Sequence, residues 1–244
     1  MRRRASWLVS SLCFLSFASL GVAAEELDAK AIVAKAYAAV GGEKAAKPMG
    51  ATWKEEGTYY GMGDGLPYTS TCAMQLPGRF RMEITGFYTI VVDGDKGWAG
   101  AGGGTAEMSK EQLEAQKQML YAMRVMGVAP LANEKGFQVT LAAEEKVNDR
   151  PAYALKIAHD KHKDITLYID KENFLVVKSA QRVQSEELNK EVDQEDFYSD
   201  YKEFDGRKHP MTIAIHRDGK KFVEAKVSDY KPAEKLDEKL FEKP

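Results

Sequence analysis

Between Phe137 and Tyr230, apolar side chains return at every second position through one segment after another, and this alternation restricts the fold more than any other feature. Tyr153, Leu155 and Ile157 alternate with Ala154, Lys156 and Ala158. Ile165, Leu167 and Ile169 alternate with Thr166 and Tyr168 after the polar tip Asp160-Lys161-His162-Lys163. Met211, Ile213 and Ile215 repeat the pattern, and Asp218-Gly219 turns the chain into Phe222–Val227. A strand sends successive side chains to opposite faces, so these segments predict an antiparallel sheet with one apolar and one wetter face. The apolar face has to be covered, either by helices or by a bound apolar molecule. Which of the two covers it is the functional question.

Upstream, strands begin at Thr52, with Trp53, Gly57 and Tyr59 on one face and a loose turn at Gly61–Gly65. Tyr68–Leu76 closes at Pro77-Gly78, Phe80, Met82 and Ile84 oppose Arg79, Arg81 and Glu83, and Asp93-Gly94-Asp95 turns towards Trp98. Gly102-Gly103-Gly104 lacks the Gly-Lys-Ser/Thr ending of a phosphate loop and reads as a flexible link. Further on, Asn148-Asp149 is a turn, Phe174–Val183 the most apolar strand, and Val192–Phe204 a long acidic and aromatic one. The tally is about eleven or twelve strands with no tandem repeat and no internal linker, hence one mainly β domain with added helices.

Two helices are expected before the repeating hairpins, and a short helical turn at Leu236–Phe241. Leu27–Val40 is Ala-rich, with Leu27, Ala31, Ala34 and Ala38 as its packing stripe and Gly41-Gly42 as its stop. Ser109 caps a longer helix running to about Met126, ended by Gly127 and Pro130. Met119, Met123 and Met126 share one face of it. Methionine is unbranched and polarizable and moulds to irregular apolar shapes. The helix is therefore either permanent core or a lid over a variable acyl chain. Trp98, Met119, Leu120, Met123 and Met126 are the candidate cavity-lining residues.

The first residues read as an export signal. Arg2-Arg3-Arg4 precedes the apolar run Trp7–Leu20, too short to span a bilayer comfortably, and Val22-Ala23-Ala24 offers a cleavage site. The expected mature domain, Glu25–Pro244, is periplasmic and has 220 residues. Loss of three arginines takes the formal charge from −2 to −5, which leaves no basic field for nucleic acid. Cys72 is then the single thiol, an intramolecular disulfide is impossible, and the core alone must hold the fold.

The catalytic inventory is thin. His159, His162, His209 and His216 read as solvated surface residues, and no cysteine or carboxylate joins them at metal-ligand spacing. The acids at Glu186-Glu187, Asp193, Glu195 and Asp196 lack calcium-loop spacing, and nothing brings a carboxyl pair together. No serine sits in Gly-x-Ser-x-Gly, and Cys72 reads as a small buried hydrophobe. No cofactor or metal is expected.

The order of the pieces is more specific than any one of them: a signal segment, an Ala-rich helix ending in Gly-Gly, Pro77-Gly78-Arg79-Phe80-Arg81, Asp93-Gly94-x-x-Gly97-Trp98, and a polar-capped helix. Arg150-Pro151-Ala152-Tyr153-Ala154-Leu155-Lys156, Leu167-Tyr168-Ile169-Asp170, Phe197-Tyr198-Ser199-Asp200-Tyr201, Phe204-Asp205-Gly206, His209-Pro210 and a closing Phe241-Glu242-Lys243-Pro244 follow. This order resembles the bacterial outer-membrane lipoprotein-sorting proteins of the LolA/LolB-like superfamily. The resemblance implies a strongly curved antiparallel half-barrel closed by helices, with a cavity that takes lipoprotein acyl chains or other lipids. Some relatives instead sense envelope damage and bind a regulatory protein. Three hypotheses follow: a periplasmic carrier of acylated or apolar ligands, an envelope-sensing or partner-binding module with a filled core, and an enzyme. The last requires a carboxyl group beside a histidine within the cavity.

Overall fold

The computed structural model describes residues 27–47, 50–185, 188 and 190–244. The expected signal segment, and with it the cleavage site, lies outside these residues, as do Glu186 and Glu187. Thirteen antiparallel strands form one sheet among the described residues. In chain order they are β1 (Gly50–Tyr59), β2 (Leu66–Gln75), β3 (Arg79–Ile84), β4 (Tyr88–Asp93), β5 (Lys96–Ala101), β6 (Gly104–Glu107), β7 (Gln138–Val147), β8 (Arg150–His159), β9 (His162–Asp170), β10 (Val176–Ser185), β11 (Lys190–Phe204), β12 (Arg207–Arg217) and β13 (Lys220–Ala233). The helices are α1 (Ala29–Val40), α2 (Lys110–Met126) and α3 (Ala129–Asn133).

The strand order is β6-β5-β4-β3-β2-β1-β13-β12-β11-β10-β9-β8-β7. Strands are added outward from β1 to the β6 edge, α2 and α3 carry the chain to the opposite edge at β7, and hairpins then return until β13 pairs with β1. The two edges, β6 and β7, do not pair, so the sheet curves as a half-barrel without closing. A connection between its two edges has to cross its hollow side, and a helix of this length spans about 26 Å.

Two-residue turns set the registers. Both central residues of Asn148-Asp149, Asp205-Gly206 and Asp218-Gly219 have positive φ, between 47° and 75°, the handedness that matches strand twist. Phe174, with φ 57°, belongs to the β9–β10 turn rather than to the strand that begins at Val176. The Gly102–Gly104 segment is no link: Gly102 and Gly103 form a turn, and β6 folds back on β5 through Trp98–Glu107 to Ala101–Gly104 pairing. That hairpin and the short flanking strands raise the count to thirteen.

One half of the hollow is filled by the protein itself. Leu155, Ile157, Ile165, Leu167 and Ile169 are each at most 1 % exposed and pack against Ile32, Val33 and Ala36 of α1 and against Tyr121, Ala122 and Val125 of α2. Each such side chain contributes about 1.5–3 kcal/mol by burial. The buried stripe of α1 is Ile32, Val33, Ala36 and Val40, whereas Ala34 and Ala38 of the expected stripe are exposed. Branched residues bury more apolar area than alanine, and they set the rotation of the helix. Gly41 (φ 124°) ends α1, and a β-carbon there would stand 2.3 Å from the Gly206 carbonyl oxygen, so the glycine permits close contact with the β11–β12 turn.

A candidate ligand cavity between the sheet and helix α2

The other half of the hollow is open. The faces of β1–β4 and β10–β13, with α2 as the opposite wall, line a cavity of about 1940 Å³. Its sheet wall follows from register. Trp53 pairs with Cys72, Met74 with Phe80, Met82 with Cys72 and Ile90, and Phe80 with Val92, so one parity of four strands lies on one face. On the far side Tyr198 pairs with Ile213, and Ile213 with Ala225. Trp53, Phe80, Met82, Ile90, Ile213 and Val227 are the main apolar lining.

Helix α2 starts as expected. Ser109 Oγ accepts from the Gln112 backbone N–H at 3.2 Å, and the Gln112 side chain accepts from the Ser109 N–H at 3.0 Å, a reciprocal cap. Met119, Met123 and Met126 line the cavity. Leu120 does not: it is 1 % exposed and lies among Trp53, Phe80 and Val92 in the core beside it. Tyr121, Ala122 and Val125 anchor the helix on the filled half. The helix therefore serves as core and cavity wall at once.

Trp98 is corrected more sharply. It pairs with Val91, opposite in parity to Val92 and Ile90, and so lies on the outer face. There it packs with Ala73, Val91 and Phe241 under the C-terminal turn Glu238–Phe241. Trp53 and Trp98 both lie on strands, and the register separates their faces. Trp53, which the sequence reading placed on a strand face without a role, is the tryptophan of the cavity.

Three titratable groups that the sequence reading did not select also reach the cavity. Glu55 accepts from Trp53 Nε1–H at 2.8 Å and from the Tyr68 hydroxyl at 3.5 Å, and burial raises its pKa against those hydrogen bonds. Asp196 accepts from Gln194 Nε2 at 3.0 Å and from Ser179 Oγ at 3.3 Å, and burial pushes its pKa up to about 6. His209 is half-buried rather than solvated, with its ring on Tyr230, and burial pushes its pKa down to about 4. His162 likewise stacks on Tyr121, centroids 3.9 Å apart. Strand parity carried the signal for these groups: Glu55 is two residues from Trp53, Asp196 two from Tyr198, and His209 two before Met211.

Among the described residues, Glu55, Asp196 and His209 have separate hydrogen-bond partners and none bonds to another. No group of three metal-ligating side chains occurs among the described residues. Cys72 is buried, and burial together with the nearby Glu55 raises its thiol pKa, which disfavours the thiolate. No helix among them is long and apolar enough to cross a membrane.

No sequence profile of a known family matches the chain, and no curated protein matches it. Solved structures do. A LolA superfamily protein from Nitrosomonas europaea superposes with a TM-score of 0.55 at 14% identity, covering 89% of this chain and 99% of that one. This chain has the LolA-like fold. An outer membrane lipoprotein-sorting protein domain from Vibrio parahaemolyticus gives 0.57 at 13% identity over 87% and 95% of the two chains. A DUF1329 family protein from Desulfovibrio piger gives 0.60 at 13% identity over 88% and 97%. The curved antiparallel sheet that the resemblance implied is thus the LolA-like half-barrel, and the open half of its hollow is the cavity described above.

Proposed function

We propose that the protein is a periplasmic carrier or binding protein that takes an acylated or otherwise apolar ligand, non-covalently, between its curved sheet and α2. The observation that supports this reading is the cavity itself. At about 1940 Å³ it is roughly twice the upper end of ordinary small-molecule sites, about 1,000 Å³. Its wall is built from Trp53, Phe80, Met82, Met119, Met123 and Ile213. Apolar contact of this kind contributes about 0.8 kcal/mol per buried methylene and reads chain length rather than chemical identity. A sensing module with a filled core accounts for the β7–β10 half alone. The Vibrio domain of the same fold bears the name of a lipoprotein-sorting domain, the same class of task.

Trp53 lines the cavity and Trp98 does not. In the expected mature chain a Trp98→Phe variant keeps Trp53 as its one tryptophan. Titration of that variant with hexadecanol should change Trp53 emission saturably, and a Met119→Gln/Met123→Gln background should need about tenfold or more hexadecanol for the same change. Emission that ignores hexadecanol would remove the carrier reading.

A further inference from the structure

Strand β12 presents Arg207, His209, Met211, Ile213 and Ile215 at successive alternate positions, hence on one face. All but Met211, which is buried in the adjoining core, line the cavity. Read along the strand, the wall is cationic, then polar and aromatic, then aliphatic, over about 26 Å from Arg207 to Ile215.

The cationic end is incomplete. Nε and Nη1 of Arg207 are buried, and neither has a hydrogen-bond partner among the described residues. Asp205 and Glu234 line the crevice behind Arg207, yet the ion pair of Glu234 is with Lys47 at 3.5 Å. Lys47 and Lys208 border the cavity beside Arg207. At the opposite end of β12 the comparable Arg217 is satisfied: its Nε donates to Gln194 at 3.0 Å and its guanidinium lies 3.6 Å from the centre of the Phe222 ring. Buried guanidinium nitrogens without partners are costly, whereas carboxylate and phosphate oxygens match such donors.

We infer that Arg207 receives the carboxylate or phosphate oxygens of an amphiphile whose apolar chain runs along Ile213 and Ile215 towards α2. The inference rests on the carrier reading and narrows its ligand to anionic amphiphiles. The Arg207 guanidinium donates to the anion, and Lys47 and Lys208 add long-range attraction. His209, neutral near pH 7 because its pKa is low, adds no competing charge.

The test compares palmitate with hexadecanol, which share a chain length and differ at the head, and adds inorganic phosphate as a head without a chain. Trp53 emission of the mature Trp98→Phe protein reports binding. Palmitate should bind about tenfold or more tightly than hexadecanol, as expected for a charge-assisted bond, and phosphate alone should not bind. Arg207→Gln should lower palmitate affinity about tenfold and so abolish the preference, with a cooperative urea melt showing that the variant is folded; Arg207→Lys should restore part of it. Equal affinity for the two chains in the parent, or a preference that survives Arg207→Gln, overturns the inference and leaves the carrier reading standing. Phosphate binding alone would make the site a simple anion pocket and overturn it too. Failure of both chains to bind overturns both.

Discussion

The imidazole of His209 stacks on the ring of Tyr230, with centroids 4.1 Å apart and planes 28° from parallel. Burial there holds its pKa at about 4, against about 6.5 in an unfolded chain. The unfolded chain therefore takes up the proton first. The contribution of His209 to stability is complete above about pH 6.5 and is lost as pH falls towards 4. Urea unfolding of the parent and of His209→Phe between pH 7 and pH 4 should show the parent losing on the order of 2 kcal/mol relative to the variant.

Asp196 works in the opposite direction. Its carboxyl is buried and its pKa raised to about 6, so the unfolded chain ionises first and stability falls as pH rises from about 4 to about 6, staying low above that. Asp196→Asn keeps an acceptor for Gln194 and removes the charge. It should gain about 1–2 kcal/mol at pH 7, and the gain should disappear below about pH 4. A loss of stability at pH 7 would mean that the hydrogen bonds to the carboxylate outweigh its desolvation.

Neighbouring positions on α2 should separate binding from folding. Leu120 is enclosed by core, and Leu120→Ala should destabilise by about 2–5 kcal/mol. Met119 and Met123 face open volume, so Met119→Gln/Met123→Gln should lower hexadecanol affinity by about tenfold or more with a Tm shift of a few degrees at most. If the double variant unfolds instead, α2 is ordinary core.

Gly41 permits the approach of α1 to the β11–β12 turn that carries Arg207. Gly41→Ala adds a β-carbon against the Gly206 carbonyl oxygen at a φ of 124°. It should cost about 2 kcal/mol or more, measured by thermal or urea unfolding.

The sheet was legible because period-2 alternation and Asp-Gly or Asn-Asp turns are local signals; the cap on α2 was legible for the same reason. What sequence could not separate were equivalents. Trp53 and Trp98 both lie on strands, and only pairing with Cys72 in one case and Val91 in the other assigns their faces. Alanine at Ala31, Ala34 and Ala38 fits several rotations of α1, and the branched Ile32 and Val33 decided it. Extending the parity of Met211, Ile213 and Ile215 two steps back would have placed His209 and Arg207 on the cavity face. Nothing local, however, tells a buried polar strand end from a solvated one.

Native mass spectrometry of the mature protein, purified without detergent, tests the carrier account most directly. The account predicts a bound apolar species that is released on denaturation and absent from Met119→Gln/Met123→Gln. A bare protein in every preparation, which also leaves hexadecanol unbound when it is supplied, would contradict it.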